Sequence, residues 1–249
     1  MNLIKLLQCI IMISIPIIVS CSNPVDTEND SELKDGLIAY YPLNGNAKDF
    51  SGNQLNGAMY HTENANEKKI PENAIYFNGT NSFIDCGMDP LLELDGDVSI
   101  SLWAKLDYEN TDHWYQYISK RDTCKAAFGL NFNPVRGPEG EILQWYFGDG
   151  TELVNCPLSI SFPPNELHHI VVTREVDTDS TRMAIYWNGE LKSYRSVVEK
   201  PVKAEGVPVL IGRKHDNYTG YEYFKGVVYD VRIYNKVITT DVIKKLHKN

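Results

Sequence analysis

The sequence predicts an all-β protein, a two-sheet antiparallel sandwich of the jelly-roll type with one short helix at its C-terminal end. From Leu37 onward, apolar residues recur with a period of two. Turn signals rich in Gly, Asn, Asp and Pro separate these runs, and the helical pattern that we find stands at the end of the chain. Many short strands without alternating helices favour an antiparallel sandwich.

The clearest strand is VSISLWAKL (98–106), in which Val98, Ile100 and Leu102 share one face with the later apolar residues. Asn188-Gly189 tolerates the positive φ angles of a tight turn and therefore predicts an antiparallel hairpin. TTDVIKKLH (239–247) predicts a helix with a Thr cap. Similar strand patterns recur at residues 74–78, 117–120, 127–132, 142–147, 169–174, 183–187, 208–212 and 226–234.

The N-terminal segment predicts export and a lipid anchor. Residues 1–20 have a positive start at Lys5 and then an apolar run that is short for a membrane span. The run ends in IVSC, which resembles a bacterial lipobox and makes Cys21 the predicted lipidated residue; an ordinary secretory signal cleaved nearby is the alternative. Residues 21–36 are acidic and polar and predict a flexible tether, which leaves 37–249 as one domain.

The charge balance argues against nucleic acid as a partner. The chain carries 24 Lys and Arg against 33 Asp and Glu, a formal net charge of −9, and no basic stripe. Membrane contact is expected through the Cys21 lipid. We therefore expect a lipid-anchored protein of the cell envelope, at the outer membrane and exposed at the surface. The acidic residues after Cys21 also resemble an export tag of Bacteroidetes lipoproteins.

Three cysteines remain outside the signal and the lipid site. Cys86, Cys124 and Cys156 allow three single pairings in an exported chain. We expect a disulfide between Cys124 and Cys156, because both lie near the ends of predicted strands. Cys86 is then expected to be free and buried.

The order of segments from residue 37 to 249 resembles the laminin G-like, concanavalin A-like jelly-roll domains of exported bacterial proteins. GLIAYYPLNGNAKDFSGNQLNG, AIYFNGTNSFIDCG and VSISLWAKLD come first, and HHIVVTRE, MAIYWNGELKS, LIGRK and FKGVVYDVRIYNKVITTDVIKKL follow. The resemblance implies two curved antiparallel sheets, often with a structural calcium ion, and recognition of carbohydrate or of a protein partner. It does not by itself imply an enzyme.

The segment NGNAKDFSGNQLNG (44–57) is the predicted calcium loop. Calcium takes six to eight oxygen ligands, and Asp49 and Asn53 offer a carboxylate and an amide oxygen beside a backbone that Gly52 lets fold. By resemblance, Asp230 on the last strand supplies a second carboxylate. The alternative is that Asp230 pairs with Arg232, while Asp49 and the Asn residues hydrogen-bond their own turn.

No residue set in the sequence supports catalysis. Glu175-Val-Asp177-Thr-Asp179 lacks the second Glu of the related glucanases. His168 and His169 are adjacent on a predicted strand, so they point to opposite faces and cannot chelate one ion together.

Two loops combine aromatic rings with polar groups, as sugar binding requires. Residues 107–117 contain Trp114 and Tyr117, and residues 214–224 contain Tyr218 and Tyr221. The alternative is that these rings close the ends of the core. The sequence thus predicts a non-catalytic, lectin-like protein that binds a glycan or polysaccharide. The alternatives are a protein-binding adhesion or scaffold subunit of the envelope and a divergent glycosidase or lyase.

Overall fold

The computed structural model describes residues 31–65, 70–109, 111–138, 140–161, 163, 166–215 and 222–248. Cys21 and the predicted signal peptide lie outside these residues. The strands, in chain order, are β1 (Leu37–Tyr41), β2 (Ala58–Tyr60), β3 (Glu63–Asn64), β4 (Ile75–Asn78), β5 (Phe83–Asp85), β6 (Val98–Leu106), β7 (Tyr115–Asp122), β8 (Lys125–Gly137), β9 (Gly140–Gly148), β10 (Leu153–Ser159), β11 (Leu167–Val176), β12 (Thr181–Trp187), β13 (Glu190–Val197), β14 (Leu210–Ile211) and β15 (Lys225–Tyr234). Helix α1 spans Thr240–Lys248.

The strands form two antiparallel sheets, as the sequence predicts. Within the described residues, the first sheet has eight strands in the order β13-β12-β11-β6-β15-β4-β3, with β1 paired to β15. The second sheet has seven strands in the order β10-β9-β8-β7-β14-β5-β2. Since the first and last strands pair with each other, the two ends of the domain lie side by side.

The core lies between the sheets, and β6 shows how the sequence builds it. Val98, Ile100 and Leu102 are fully buried in the core with the other apolar residues of that strand face, as the alternation predicts. The Asn188-Gly189 hairpin is also confirmed: both residues have positive φ angles, 51° and 80°, between β12 and β13.

Helix α1 covers part of the outer face of the first sheet. Its buried residues Val242, Ile243 and Leu246 pack against Val171 and Tyr234. The hydroxyl of Thr239 accepts a hydrogen bond from the backbone N–H of Val242 at 3.3 Å, which confirms the predicted Thr cap. No helix in the described part of the chain is long and apolar enough to span a membrane.

The last residues of the predicted tether belong to the folded domain. Residues 31–34 are helical. Leu33 packs against the α1 cluster, and its carbonyl oxygen accepts a hydrogen bond from the Tyr234 hydroxyl. Glu32 and Asp35 form ion pairs with Lys245 and Lys236. The folded domain therefore begins before the predicted boundary at residue 37. The acidic, polar composition of the segment gave no indication that Leu33 would pack against the domain.

The predicted disulfide is wrong, since all three described cysteines are free thiols. The Cys124 carbonyl oxygen accepts a hydrogen bond from the N–H of Gly150, beyond the end of β9. Cys156 lies opposite Trp145, which is three residues before Gly148 at the end of β9, and the two cysteines are thus separated by about 10 Å or more along the strand. A disulfide needs Cα atoms within about 7 Å. Cys86 is free and buried, as predicted.

Arg174 on β11 ties the two sheets together. Its side chain is fully buried and faces the core, in step with Ile170 and Val172. The guanidinium donates to the carbonyl oxygen of Ala127 in the second sheet, and to those of Leu94 and Gly96 in the segment before β6. Burial lowers the pKa of Arg174 to about 9, although the negative charges of Asp95 and Asp97 act in the opposite direction and raise the pKa.

A ring cluster joins α1 to the sheet beneath it. Trp103 stacks between Tyr229 on one neighbouring strand and His169 on the other, with ring centroids 5.9 and 5.1 Å away. His247 of α1 stacks on Trp103 at 5.5 Å and lies 5.6 Å from His169. His168 contacts Trp187 instead, so the two adjacent histidines point to opposite faces, as predicted.

We expect Arg174→Met to lower the free energy of unfolding by about 3 kcal/mol or more, because three buried carbonyl groups lose their charged donor. Urea unfolding measures this loss. Arg182→Met on neighbouring β12 is the matched control: Arg182 pairs with Glu175 and Asp177 at the surface, and its loss should cost about 1 kcal/mol or less. Equal losses in the two variants would contradict the role of Arg174.

We expect His169 to make the fold sensitive to acid. Burial, then the nearby His247 and Arg232, lower the pKa of His169 to about 3 from an ordinary value of 6.5. The unfolded chain therefore binds more protons between pH 6.5 and 3. The contribution of neutral His169 to the free energy of unfolding is complete above pH 6.5. Below that pH it falls by up to about 1.4 kcal/mol per pH unit. Urea unfolding at several pH values should give a smaller acid slope for His169→Gln, whereas exposed His61→Gln should leave it unchanged.

Candidate functional site

A cleft of about 500 Å³ opens at one end of the sandwich, where the β8–β9 hairpin extends past its neighbours. The segment after β6 forms one wall, and the residues that follow β10 form another. The described lining residues are Tyr108, Pro134, Val135, Gly140, Glu141, Ile160 and Ser161. The lining is mixed, because three of its side chains are apolar and those of Tyr108, Glu141 and Ser161 carry polar groups.

Tyr108 and Glu141 form the polar centre of the cleft. The Tyr108 hydroxyl donates to Oε1 of Glu141 at 2.5 Å, and the Tyr108 ring packs edge-on against Phe132 at 5.1 Å. Burial and the Glu141 carboxylate raise the pKa of the Tyr108 phenol, so it stays protonated and remains a donor. The pair therefore holds an aromatic ring and a carboxylate in one fixed arrangement.

Asn133 fixes the hairpin at the rim of the cleft. Its side-chain oxygen accepts hydrogen bonds from the N–H groups of Val135 and Arg136, both at 2.9 Å. Its amide nitrogen donates to Asp112 at 3.1 Å, and Arg136 holds the same carboxylate through two further hydrogen bonds. The loop after β6 is thus fastened to the hairpin, which keeps the two walls at a set separation.

The aromatic residues predicted from sequence do not build this cleft. Tyr117 is wrong as a ligand-stacking residue, because it is fully buried in the core with its ring 4.8 Å from that of Phe224. Trp114 is half-buried and does not line the cleft. Tyr218 and Tyr221 lie outside the described residues, and sugar contact by either stays a prediction.

Sequence reasoning missed Tyr108 and Glu141. Tyr108 belongs to the predicted aromatic loop, but the sequence does not distinguish it from the other aromatic residues there. Glu141 opens a strand whose preceding turn, NPVRGPEG, gave no sign of function. The sequence carries no signal for the projecting hairpin, because the predicted strands 127–132 and 142–147 are shorter than the observed 13 and 9 residues of β8 and β9.

A family model described as the concanavalin A-like lectin/glucanases superfamily matches residues 78–244. The chain belongs to this superfamily. The resemblance identified from the ordered segments is therefore confirmed. A comparison with curated protein sequences returned no match.

Solved structures share the fold of this superfamily member at low sequence identity. Domain 4 of AbnA, a GH43 extracellular arabinanase from Geobacillus stearothermophilus, in complex with arabinotriose, has a TM-score of 0.63 and 21% identity over 85% of this chain and 98% of that one. The receptor-binding domain of botulinum neurotoxin C/D mosaic serotype has a TM-score of 0.63 and 14% identity, and the match covers 86% of this chain and 51% of that one. The binding domain of botulinum neurotoxin DC in complex with rat synaptotagmin II has a TM-score of 0.61 and 13% sequence identity, and the match covers 87% of this chain and 52% of that one.

The carboxylate of Asp49 is used to close its own loop. One oxygen accepts the N–H groups of Tyr40 and Ser51, at 2.9 and 2.8 Å. The other accepts the Ser51 hydroxyl at 2.8 Å and the Leu55 N–H at 3.0 Å. Both oxygens of this carboxylate are thus hydrogen-bonded to backbone N–H groups that hold the loop closed.

The other predicted calcium ligands are engaged as well. Asn53 donates through its amide nitrogen to the carbonyl oxygen of Ile38 at 2.8 Å. Asp230 is held by the guanidinium of Arg232 at 2.7 and 3.2 Å. The described residues contain no group of three or more His, Cys, Asp or Glu that could hold a metal ion. In this arrangement the predicted ligands contact protein groups, and a calcium ion bound by Asp49, Asn53 and Asp230 stays a prediction.

We expect Asp49→Asn to lower the free energy of unfolding by about 1 to 3 kcal/mol, because its amide nitrogen would face donors. Thermal unfolding with millimolar calcium and with a chelator should show the same loss. Asp89→Asn is the control, since Asp89 binds one turn N–H at the surface. A loss that appears with calcium and vanishes with chelator would instead identify Asp49 as a calcium ligand.

Proposed function

We propose that this protein binds carbohydrate without cleaving it and that the sugar occupies the Tyr108–Glu141 cleft. The observation that carries the proposal is the composition of the cleft: one aromatic ring, an apolar wall and a carboxylate held in place. Apolar sugar faces pack against rings and aliphatic side chains, and hydroxyl groups donate to carboxylate oxygens. A volume of about 500 Å³ falls within the range typical of ligand sites.

The comparisons with solved structures support a binding role in general, without indicating which ligand is bound. The chain shares its fold with an arabinanase domain that was solved with arabinotriose and with receptor-binding domains of botulinum neurotoxins. Because their identity to this chain is low, they supply no site residues. The ligand argument therefore rests on the cleft itself.

The single carboxylate among the described lining residues is the reason why we propose binding and not hydrolysis. Glycosidases of the retaining class need two carboxyl groups about 5 Å apart, and those of the inverting class need them about 6.5 to 9.5 Å apart. Glu141 is the single carboxylate among the described residues that line the cleft. Its oxygen already accepts the Tyr108 hydroxyl, which suits a fixed acceptor.

We place the protein at the cell envelope, anchored through lipid on Cys21. The lipobox-like IVSC sequence and the acidic segment after it support this location. An anchored, non-catalytic domain suits the capture of polysaccharide at the cell surface. Radiolabelled fatty acid should enter the native chain and should not enter a Cys21→Ala variant.

A protein ligand is the second candidate. An apolar strip lies at the edge of the first sheet, where Leu191, Tyr194 and Val198 are 54, 58 and 75% exposed. An exposed apolar strip on an edge strand is an unusual feature of an isolated domain. Protein capture that depends on Tyr194, in the absence of any sugar binding, would favour this alternative.

The test is affinity electrophoresis of the full-length chain through gels that contain individual polysaccharides. We expect retardation by one or a few polymers. Tyr108→Ala should weaken that retardation about tenfold or more, because a ring buried against a ligand contributes about 1.5 to 3 kcal/mol. Tyr194→Ala, an equally large truncation outside the cleft, should leave it unchanged.

Two results would contradict the proposal. If no polymer in a broad panel retards the protein, it does not act as a carbohydrate-binding domain. If reducing ends appear when the protein is incubated with a retarding polymer, and fail to appear with Glu141→Gln, the protein is a glycosidase.

A further inference from the structure

The exposed apolar strip of β13 lies beside α1 on the outer face of the first sheet. Leu191 of β13 lies opposite Tyr186 of β12, and Tyr194 lies opposite Ala184 on the same strand. Side chains of opposite residues in an antiparallel pair share a face of the sheet. Because Tyr186 packs against the α1 cluster, the strip stands on the face that α1 covers in part. Leu191, Tyr194 and Val198 are each more than half exposed there.

The C-terminal turn of α1 borders this strip. A Cβ atom on Gly189, in the turn between β12 and β13, would stand 3.4 Å from Cδ2 of His247 in α1. The exposed side of the helix, opposite its buried residues, carries Lys244 and Lys248. We call this surface the α1–β13 face, and it consists of Leu191, Tyr194, Val198, Lys244 and Lys248.

The two elements that form this face are basic, although the chain as a whole is acidic. β13 and α1 together contain five Lys and Arg residues and two Asp and Glu residues. The whole chain contains 24 and 33 of these. Lys245 is paired with Glu32, and Lys192 is paired with Glu190. An excess of cations beside exposed apolar residues suits a surface that carries anionic headgroups.

The chain also reaches this face from the proposed lipid anchor. Residues 31–34 lie beside α1, because Leu33 packs against the α1 cluster and Glu32 pairs with Lys245. Cys21 precedes Ser31 by ten residues, and ten residues span at most about 36 Å. A lipid on Cys21 would therefore keep the membrane close to the outer face of the first sheet, whereas the second sheet lies on the far side of the core.

We propose that the α1–β13 face lies on the surface of the membrane to which Cys21 is anchored. The apolar strip enters the headgroup region, and the lysines of α1 contact anionic phospholipid headgroups. Tyr side chains are enriched at membrane interfaces, and Lys side chains keep their charge in the aqueous layer. The proposal rests on the proposed lipid anchor and adds an orientation. The second sheet, whose β8–β9 hairpin borders the Tyr108–Glu141 cleft, faces away from the membrane.

The test measures the acetylation rates of individual lysines by mass spectrometry. The lipid-anchored native chain and a Leu191→Ser/Tyr194→Ser variant are each placed in vesicles of phosphatidylethanolamine and phosphatidylglycerol. We expect Lys244 and Lys248 to react at least about threefold more slowly in the native chain, because contact of the face with the membrane shields them. Lys125, which is exposed at the start of β8 in the second sheet, should react at the same rate in both chains.

Tyr60→Ser is the matched control. Tyr60 is 44% exposed on β2, the edge strand of the second sheet, so this change removes an equally large ring from the other side of the molecule. Lys244 and Lys248 should react in this variant as slowly as in the native chain. Equal rates at these lysines in the native chain and in the double variant would overturn the proposal.

The remaining outcomes separate the membrane from other partners and from the anchor itself. Shielding that rises with the density of protein on the vesicles would overturn the proposal in favour of a second copy of the chain on this face. If fatty acid enters the native chain but Lys244 and Lys248 stay unshielded, the orientation is wrong and the anchor stands. If no fatty acid enters, both the anchor and this proposal are wrong, and carbohydrate binding by the cleft is unaffected.

Discussion

The contact between Arg174 and the carbonyl groups around it is the constraint on which the two-sheet arrangement depends. Sheets packed by apolar side chains alone can slide, because hydrophobic contact has no direction. Arg174 carries directional donors from β11 of the first sheet to Ala127 at the start of β8 in the second. It also fixes the carbonyl oxygens of Leu94 and Gly96, which lead into β6. Arg174 therefore helps to set the register between the sheets, together with the Trp145 N–H of β9, which donates to the carbonyl oxygen of Thr173 on β11.

The far end of β8 is held by different contacts from those that hold Ala127. The pairing of β8 with β9 is irregular between Asn133 and Gly137, so the hairpin is not a simple extension of the regular strand. Asn133 and its Asp112 partner fasten the projecting hairpin to the loop after β6. This contact connects two walls of the cleft within the protein itself.

The parts of the fold that sequence predicted are those set by local pattern. The alternation in β6, the Asn188-Gly189 turn and the Thr239 cap each follow from a few adjacent residues, and each is confirmed. The disulfide between Cys124 and Cys156 failed because strand order decides which thiols meet, and strand order is not a local property. The prediction for Tyr117 on β7 failed for a similar reason: the alternation of side chains does not tell which face of the strand the first sheet covers.

The candidate site was the least predictable part, and the residues involved explain why. Tyr108 and Glu141 stand 33 positions apart and meet only because β8 and β9 project as a hairpin beside the loop after β6. Neither residue belongs to a motif. By contrast, the loop around Asp49 is conspicuously rich in Asn, Asp and Gly. Its Asp49 carboxylate hydrogen-bonds backbone N–H groups that close the loop. The carboxylate of Asp49 holds a turn, whereas that of Glu141 lines a cleft beside the ring of Tyr108. This difference in position is why we propose Glu141 and not Asp49 for ligand contact.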